Sequence, residues 1–480
     1  MNISDYAKLD GVAIAAAIAN GDYSRSEVTE VAIATIEALN PKLNAVVMEN
    51  YANARASAVG TGPIAGVPFL IKDVNVFTAD MPTTFSCRFF DGVAPRADSE
   101  IVKRWRNAGL VVLGKTNTPE FAEDYVCEPT FRGPALNPWN PAMTTGGSSG
   151  GAGAAVASGM VPIAHGTDLG GSIRIPAACC GVFGLKPTTG LNAVDVSHPE
   201  LASGFNSDHV LTRSVRDSAA VLDATAWPIT GYRYQPQRAV PSYLQCLELD
   251  LPPLRIGICT KTPDGKQTPA TQSAAVERVG KILSDHGHVL VEYEYPQELE
   301  FGEWMDTLWM FDVVYEMDRR IAELGRQPEA DELEAMTRHI RELVASMSAM
   351  DHYHARLNAH QNSVRLMTSM ADLDIVLTPA LGSDPVAVGE FDSRTDAFDY
   401  KRWAEQGYDF APFSYICNIS GQPAASIPVP QKGSLKDGPP CAIQLAGHLG
   451  QDHLLLQLSA MLEQELDWQA SRPPIWAGNS

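Results

Sequence analysis

TTGGSSGGAGAAVASGMVPIAHGTDLGGSIR, residues 144–174, decides how this chain is read. It holds two glycine-flanked serines, Ser148 in GGSSGG and Ser172 in DLGGSIR. GGSSGG is too rich in glycine for a helix or strand interior, so it forms a loop. The small-residue run at 150–158 predicts a closely packed helix whose first N–H groups point back at that loop. Gly170 and Gly171 permit a tight turn before Ser172, and successive N–H groups in such a turn form an anion nest. A serine behind those donors is placed to attack a carbonyl whose oxygen they hold.

Taken singly, each serine motif has a plainer reading as a turning loop. GGSSG fits the G-x-S-x-G nucleophile elbow. That elbow needs an apolar strand before it, and here NPWNPAMTT (137–145) precedes, with two prolines. The phosphate-loop reading lacks its G-K-[ST] ending. A lysine shifts the balance towards chemistry. Lys72 ends the apolar run VPFLI (67–71), which reads as a buried strand. Alone, such a lysine marks the solvent-exposed end of a strand. A serine hydroxyl is a weak nucleophile until a base takes its proton. Lysine is that base only when neutral, and burial pulls its pKa from ~10.4 towards ~7–8. A hydroxyl both donates and accepts, so Ser148 can bridge Ser172 and Lys72.

Together these stretches resemble the amidase signature family. The matching text is GVPFLIKD (66–73), GKTNTPEF (114–121), GGSSGGAGAAVASG (146–159), GTDLGGSIRIPA (166–177) and GVFGLKPT (181–188). Weaker matches follow at TRSVRD (212–217), LRIGI (254–258), LTPAL (377–381), SGQPAASIP (420–428) and IQLAG (443–447). The resemblance covers nearly the whole chain, is weakest at 230–370, and does not choose a substrate. It implies a single large α/β domain over 1–480, with a central mixed twisted β-sheet covered by helices on both faces. Within it stand an N-terminal helical segment (1–60), a signature core (66–220) and a variable helical segment (300–370) near the substrate pocket. It implies Lys72 as general base, Ser148 as bridging serine after a cis peptide at Gly147, and Ser172 as acylated nucleophile. The N–H groups of Leu169, Gly170, Gly171 and Ser172 are the implied oxyanion hole, with Ser149, Asp168 and Arg174 as supporting residues. It implies a small-molecule amide substrate, no cofactor, and a homodimer as the family-level assembly.

Composition narrows the class. The 480 residues are 45% hydrophobic and 19% charged, an ordinary globular balance. A net charge of −21 argues against nucleic-acid or anionic-membrane partners. No run of 18 apolar residues occurs, so no membrane span is expected. The N-terminus lacks a basic n-region, and AIAAAIA (13–19) reads as a helix. Eight cysteines without a CxxC pair indicate reduced, cytoplasmic usage, and Cys180 near the nucleophile loop reads as a small buried filler. The eleven histidines contain no H-E-x-x-H, and His352 and His354 do not share a helix face, so no metal is expected.

In chain order, Ser24 and Glu27 form a capping box for a helix that Pro41 ends, and a second helix runs over 51–59. Residues 69–71 are the first core strand. Asp98 or Ser99 caps a helix at 100–106, and LVVL (110–113) is the next strand. Glu120 reads as a loop cap or a charge supporting the site. His198 and His209 read as solvated loop histidines. LRIGIC (254–259) is a strand, and 236–253 is the best place for a flexible crossing. Residues 303–370 read as helical. Trp304, Leu308, Phe311 and Tyr315 recur on one helix face there and are the candidate apolar substrate pocket. DIVLTPAL (374–381) is a strand and loop, and Asp452 caps a last helix whose Leu455, Leu458, Met461 and Leu462 face inward.

The reading that follows is amide hydrolysis through a serine acyl-enzyme, on small apolar or aryl amides, with esters and carbamates as further substrates. Two alternatives stand beside it. One is the glutaminase subunit of a tRNA-dependent amidotransferase, which needs a partner subunit. The other is an α/β-hydrolase esterase, with Ser148 as nucleophile and a histidine such as His448 as base.

Overall fold

The computed structural model describes residues 1–58, 60–192, 201–231, 238–430 and 440–479. His198, Val59 and part of the proposed crossing at 236–253 lie outside the described residues. One eleven-stranded mixed sheet organises the rest. Its strands are β1 (Val46–Glu49), β2 (Pro68–Lys72), β3 (Val111–Thr116), β4 (Ile163–Asp168), β5 (Phe183–Lys186), β6 (Ser207–Thr212), β7 (Arg255–Ile258), β8 (Val289–Glu292), β9 (Ile375–Pro379), β10 (Ala424–Val429) and β11 (Cys441–Gly447). The spatial order is β1-β3-β2-β4-β6-β5-β10-β11-β9-β7-β8. β2 runs parallel to β3 and β4, and β7 runs parallel to β8 and β9. The central join through β6, β5, β10 and β11 is antiparallel.

Every residue of β2, β3, β4, β6, β9 and β10 is buried. A sheet buried on both sides needs helices on both faces, and its strands read as unbroken apolar runs such as FLI and IVL. The expected single α/β domain is therefore what the chain forms. β2 lies between β3 and β4, so Lys72, at the carboxyl end of β2, stands beside Thr116 on one side and the β4 end on the other.

Local chemistry explains the boundaries. Ser24 caps the helix Arg25–Leu43, and Glu27 closes the capping box. Pro41 does not end this helix. It sits inside the last turn, and Asn44, at φ 48°, stops it in the left-handed conformation. The N-terminal segment is not wholly helical, because β1 adds an antiparallel edge strand beside β3. The following helix is short, Tyr51–Ala56. Neither Asp98 nor Ser99 caps the helix Glu100–Asn107 with its side chain. Ser99 Oγ accepts from Phe77 N–H at 2.9 Å and Asp98 from Ala79 N–H at 2.8 Å, so both tie the loop after β2. Asp452 is likewise inside its helix, and its carboxylate accepts from the Thr188 N–H (2.8 Å) and hydroxyl (2.6 Å). In that helix Leu455, Leu458 and Leu462 are buried and Met461 is partly buried. Asp217 of TRSVRD accepts from the N–H groups of Gly11 and Val12, pinning the N-terminal helix Gly11–Ala19 to the core.

Candidate active site

Two loops meet at the carboxyl end of β2. GGSSGG leads into the helix Gly150–Ala157, and LGGS joins β4 to the helix Arg174–Cys180. Gly147 passes so close to the backbone of residues 124–126 that an added Cβ would fall 2.7 Å from Asp124 O. Gly171 has φ 130°, and a Cβ there would meet Ser414 Oγ at 2.5 Å. Neither position accepts a larger residue. The Gly147–Ser148 peptide is cis. Ser149 staples the loops. Its N–H donates to Ser172 O at 3.2 Å, and its hydroxyl accepts from Thr167 N–H at 3.3 Å.

Lys72 is fully buried, and its Nζ is hydrogen-bonded to Ser148 Oγ at 2.6 Å and to Thr167 Oγ1 at 2.8 Å. Two other lysines are as deeply buried: Lys115 has Asp73 at 3.3 Å, and Lys186 donates to Pro187 O at 2.9 Å. The hydrogen-bond partners of Lys72 Nζ among the described residues are hydroxyls. Burial drives its pKa down from 10.5 to about 7, against weaker upward pulls from Asp208, Asp168 and Glu123. The free amine is then accessible at neutral pH. With the proton on the hydroxyl, the same 2.6 Å contact lets Ser148 donate to that amine.

Behind Lys72 lies a buried histidine. The Lys72 N–H donates to His165 Nδ1 at 3.3 Å, so the ring proton sits on Nε2, which faces Asp208 Oδ1 at 3.1 Å. Burial lowers the pKa of His165 and keeps it neutral.

Asp168 and Arg174 fix the LGGS turn. The Asp168 carboxylate accepts from Gly171 N–H (2.9 Å), Ile173 N–H (3.2 Å), Arg174 (2.8 and 3.0 Å) and Asn418 Nδ2 (2.9 Å). Burial is the largest single influence on Asp168 and would raise its pKa, but the charge and hydrogen bonds of Arg174, with Lys186 and Asn418, together outweigh it and hold the carboxyl at about 2. Arg174 also donates to Ser414 O, Gln444 Oε1 and Asn418 Oδ1. Of the four expected oxyanion donors, the Gly171 N–H already has a partner within the turn, Asp168 Oδ1 at 2.9 Å.

Ser172 opens onto a cleft lined by Leu169, Gly170, Tyr125, Trp309, Trp403 and Tyr415, among others. Of the expected pocket stripe, none of Trp304, Leu308, Phe311 and Tyr315 lines it. Residues 303–308 form a 3₁₀ turn, and the α-helix begins only at Phe311. The change of pitch breaks the periodicity that the spacing suggested. Leu308 is buried in the apolar cluster behind the cleft wall, with Tyr415, and Trp304 packs against that cluster, while Phe311 and Tyr315 are 37% and 52% exposed. Trp309, between the two segments, is the residue that reaches the cleft. Thr167, Asn418 and Ser414 have no individual role in the sequence reading, which takes 410–418 only as a far wall of the core. Thr167 lies within the quoted stretch, but the other two join it only through the fold.

The histidine alternative does not survive this geometry. His448 Nε2 bonds Leu373 O at 2.7 Å, and His209, buried on β6, bonds Ser218 Oγ at 2.8 Å and is not the solvated loop residue expected. The basic partner of Ser148 is Lys72. Glu120 acts as a loop cap, accepting from Glu334 N–H at 3.0 Å. All eight cysteines are free, and Cys180 is buried filler. Among the described residues, no group of three or more His, Cys, Asp or Glu is arranged to hold a metal ion. No helix among them is long and apolar enough to cross a membrane.

Comparison with known proteins places the chain in a family. The family profile described as Amidase matches residues 27–456. The 6-aminohexanoate-cyclic-dimer hydrolase of Paenarthrobacter ureafaciens is 34% identical, with 97% of this chain and 96% of that protein covered. A solved structure of 6-aminohexanoate cyclic dimer hydrolase complexed with substrate superposes with a TM-score of 0.92 at 32% identity, covering 98% and 99% of the two chains. The native peptide amidase of Stenotrophomonas maltophilia gives 0.79 at 26% identity, covering 98% and 99%. The chain belongs to the amidase signature family. It is an amidase, a hydrolase of carboxylic amides.

Proposed function

We propose that amide hydrolysis here runs through an acyl-enzyme on Ser172, on small apolar or aryl amides. The observation that carries this reading is the buried Lys72 at 2.6 Å from Ser148 Oγ. Neutral Lys72 takes the Ser148 proton as Ser148 takes the Ser172 proton, and Ser172 Oγ bonds to the substrate carbonyl carbon. The N–H groups of Leu169, Gly170 and Ser172 hold the resulting oxyanion. The Lys72 ammonium returns its proton through Ser148 to the nitrogen, the C–N bond breaks and the amine leaves. Water then adds to the acyl ester by the same relay and releases the acid. The aromatic cleft supports an apolar or aryl substrate body. Esters and carbamates present the same tetrahedral centre and are further substrates in this reading. Ser172→Ala tests it. The variant keeps the thermal midpoint of the native protein and loses turnover by at least about a thousandfold. Hydrolysis at the native rate would refute the mechanism.

A further inference from the structure

Lys72 is held by a side chain where its strand leaves the sheet. The ladder between β2 and β4 pairs Phe69 with Ile163 and Leu70 with Ala164. The Lys72 N–H lies beyond the end of that ladder and donates to the His165 ring, at Nδ1. The ring packs against Trp105, with 4.7 Å between centroids, and its far nitrogen, Nε2, faces Asp208 Oδ1 at 3.1 Å.

The strand register puts these groups on one face. β4 and β6 run antiparallel, with Thr167 opposite Asp208 and His165 opposite Val210. Side chains two apart on a strand share a face, so Asp208 has Thr167 directly across from it and His165 on the diagonal. Thr167 Oγ1 is bonded to Lys72 Nζ at 2.8 Å. Directly opposed residues have Cβ atoms about 5 Å apart, which brings the Asp208 carboxylate one side chain away from the lysine head.

The other titratable groups around Lys72 differ from Asp208. Against the dominant effect of burial, Cys127, Asp208, Asp168 and Glu123 act to keep the lysine charged. Burial lifts the Cys127 thiol to about 12, so it is uncharged at neutral pH. Asp168 is bound by the Arg174 guanidinium at 2.8 and 3.0 Å. Glu123 stands on the cleft wall. Lys115 acts on His165 from β3 and has Asp73 at 3.3 Å. Asp208 is buried, and its carboxylate is bonded to His165 and to Asn206 Nδ2 (2.7 Å), both neutral groups.

We propose that Asp208 is a positioning residue for acylation, acting on Lys72 from behind the His165 ring. Its fixed negative charge supports the Lys72 ammonium as that ammonium forms, and the ring anchors the strand end that bears the lysine. The inference rests on the lysine relay described above, in which the amine becomes an ammonium as Ser172 bonds to the substrate. A carboxylate bonded directly to Nζ would hold the proton there and disable the base. A carboxylate one ring away makes no such bond, yet it lowers the energy of a cation that is fully buried from solvent.

Asp208→Asn removes the charge and keeps the shape. Asn206 Oδ1, buried and without a partner among the described residues, can receive the new amide. Profiles of kcat and kcat/KM against pH on one neutral acyl anilide read the effect. The acidic limb of the native enzyme lies near pH 7. In Asp208→Asn it moves down by about half a pH unit or more, because the ammonium has lost its opposing charge. Above the limb kcat falls by about tenfold, while KM stays within about twofold of native. A merely structural loss would lower kcat and leave the limb in place. Long-range proton–nitrogen spectra of the histidine rings, assigned with His165→Asn, read the link in the native protein, and so decide the matter even where Asp208→Asn does not fold. Between about pH 6 and pH 9 the His165 ring keeps its proton on Nε2 and stays neutral, and its signals shift with a midpoint at the kinetic limb as Lys72 titrates. An acidic limb unmoved in Asp208→Asn, or a His165 ring protonated on Nδ1, overturns the proposal. A native profile without a limb between about pH 6 and pH 8, or native turnover by Lys72→Ala, overturns instead the lysine relay beneath it.

Discussion

Replacing Lys72 by methionine should stabilise the protein at pH 6 and destabilise it at pH 10.5. Lys72 is wholly buried, and burial takes its pKa from 10.5 to about 7. The unfolded chain therefore binds this proton more tightly than the native state does. Stability rises with pH between about 7 and 10.5, and below about 7 the cost of burying the lysine is fully felt. At ~1.4 kcal/mol per tenfold difference in proton affinity, that cost is about 5 kcal/mol. Methionine avoids it but loses the hydrogen bonds to Ser148 and Thr167, each worth about 1 kcal/mol net. The balance is a gain of about 3 kcal/mol at pH 6. A chain of 480 residues unfolds with an entropy near ~1 kcal/mol/K, so the thermal midpoint rises by about 3 °C. At pH 10.5 the burial cost has nearly vanished, and only the lost hydrogen bonds remain. The midpoint of the variant then falls below the native one by about 1–2 °C. Parallel thermal scans of the two proteins at both pH values read the difference, and titrations elsewhere in the chain cancel. A variant less stable than the native protein at pH 6 would refute the claim that Lys72 is a desolvated amine held at a cost to the fold.

Two further outcomes follow from the same contacts. Thr167→Val removes a hydroxyl that favours the ammonium form of Lys72, so the acidic limb of the kcat/KM profile, near pH 7 in the native enzyme, moves lower by up to about one pH unit. Turnover at neutral pH falls by about tenfold as the lysine loses its fixed orientation. Trp309→Ala raises KM for an aryl amide by about tenfold, whereas Tyr315→Ala, which alters a half-exposed side chain outside the cleft, changes it by less than about twofold. Steady-state kinetics on one acyl anilide separates the two.

The loops of the candidate site were legible because their residues carry local constraints. Glycines beside Ser148 and Ser172 mark turns that no other residue fits, and the apolar run before Lys72 marks a buried strand end. The fold class was legible for the same reason, since strands such as FLI and IVL are apolar throughout. Residues that complete the site from afar left no local mark. Asn418 and Gln444 grip the Asp168–Arg174 pair across more than 240 positions of sequence, and nothing around them distinguishes a buried ligand of arginine from an ordinary polar residue. Trp309 was missed because the periodic pattern from Trp304 to Tyr315 assumes one pitch, whereas the chain changes from a 3₁₀ turn to an α-helix between Leu308 and Phe311. The Gly171 N–H could not be assigned from sequence either. Whether it faces a substrate oxygen or Asp168 depends on the closure of the turn.

The most direct test of the central claim is intact-protein and peptide mass spectrometry after reaction with a fluorophosphonate, for the native enzyme, Ser148→Ala and Ser172→Ala. The native enzyme is expected to gain one phosphonyl group, mapped to Ser172, Ser148→Ala to label more slowly and Ser172→Ala to take no label. A phosphonyl group on Ser148, or undiminished labelling of Ser172→Ala, would contradict the claim.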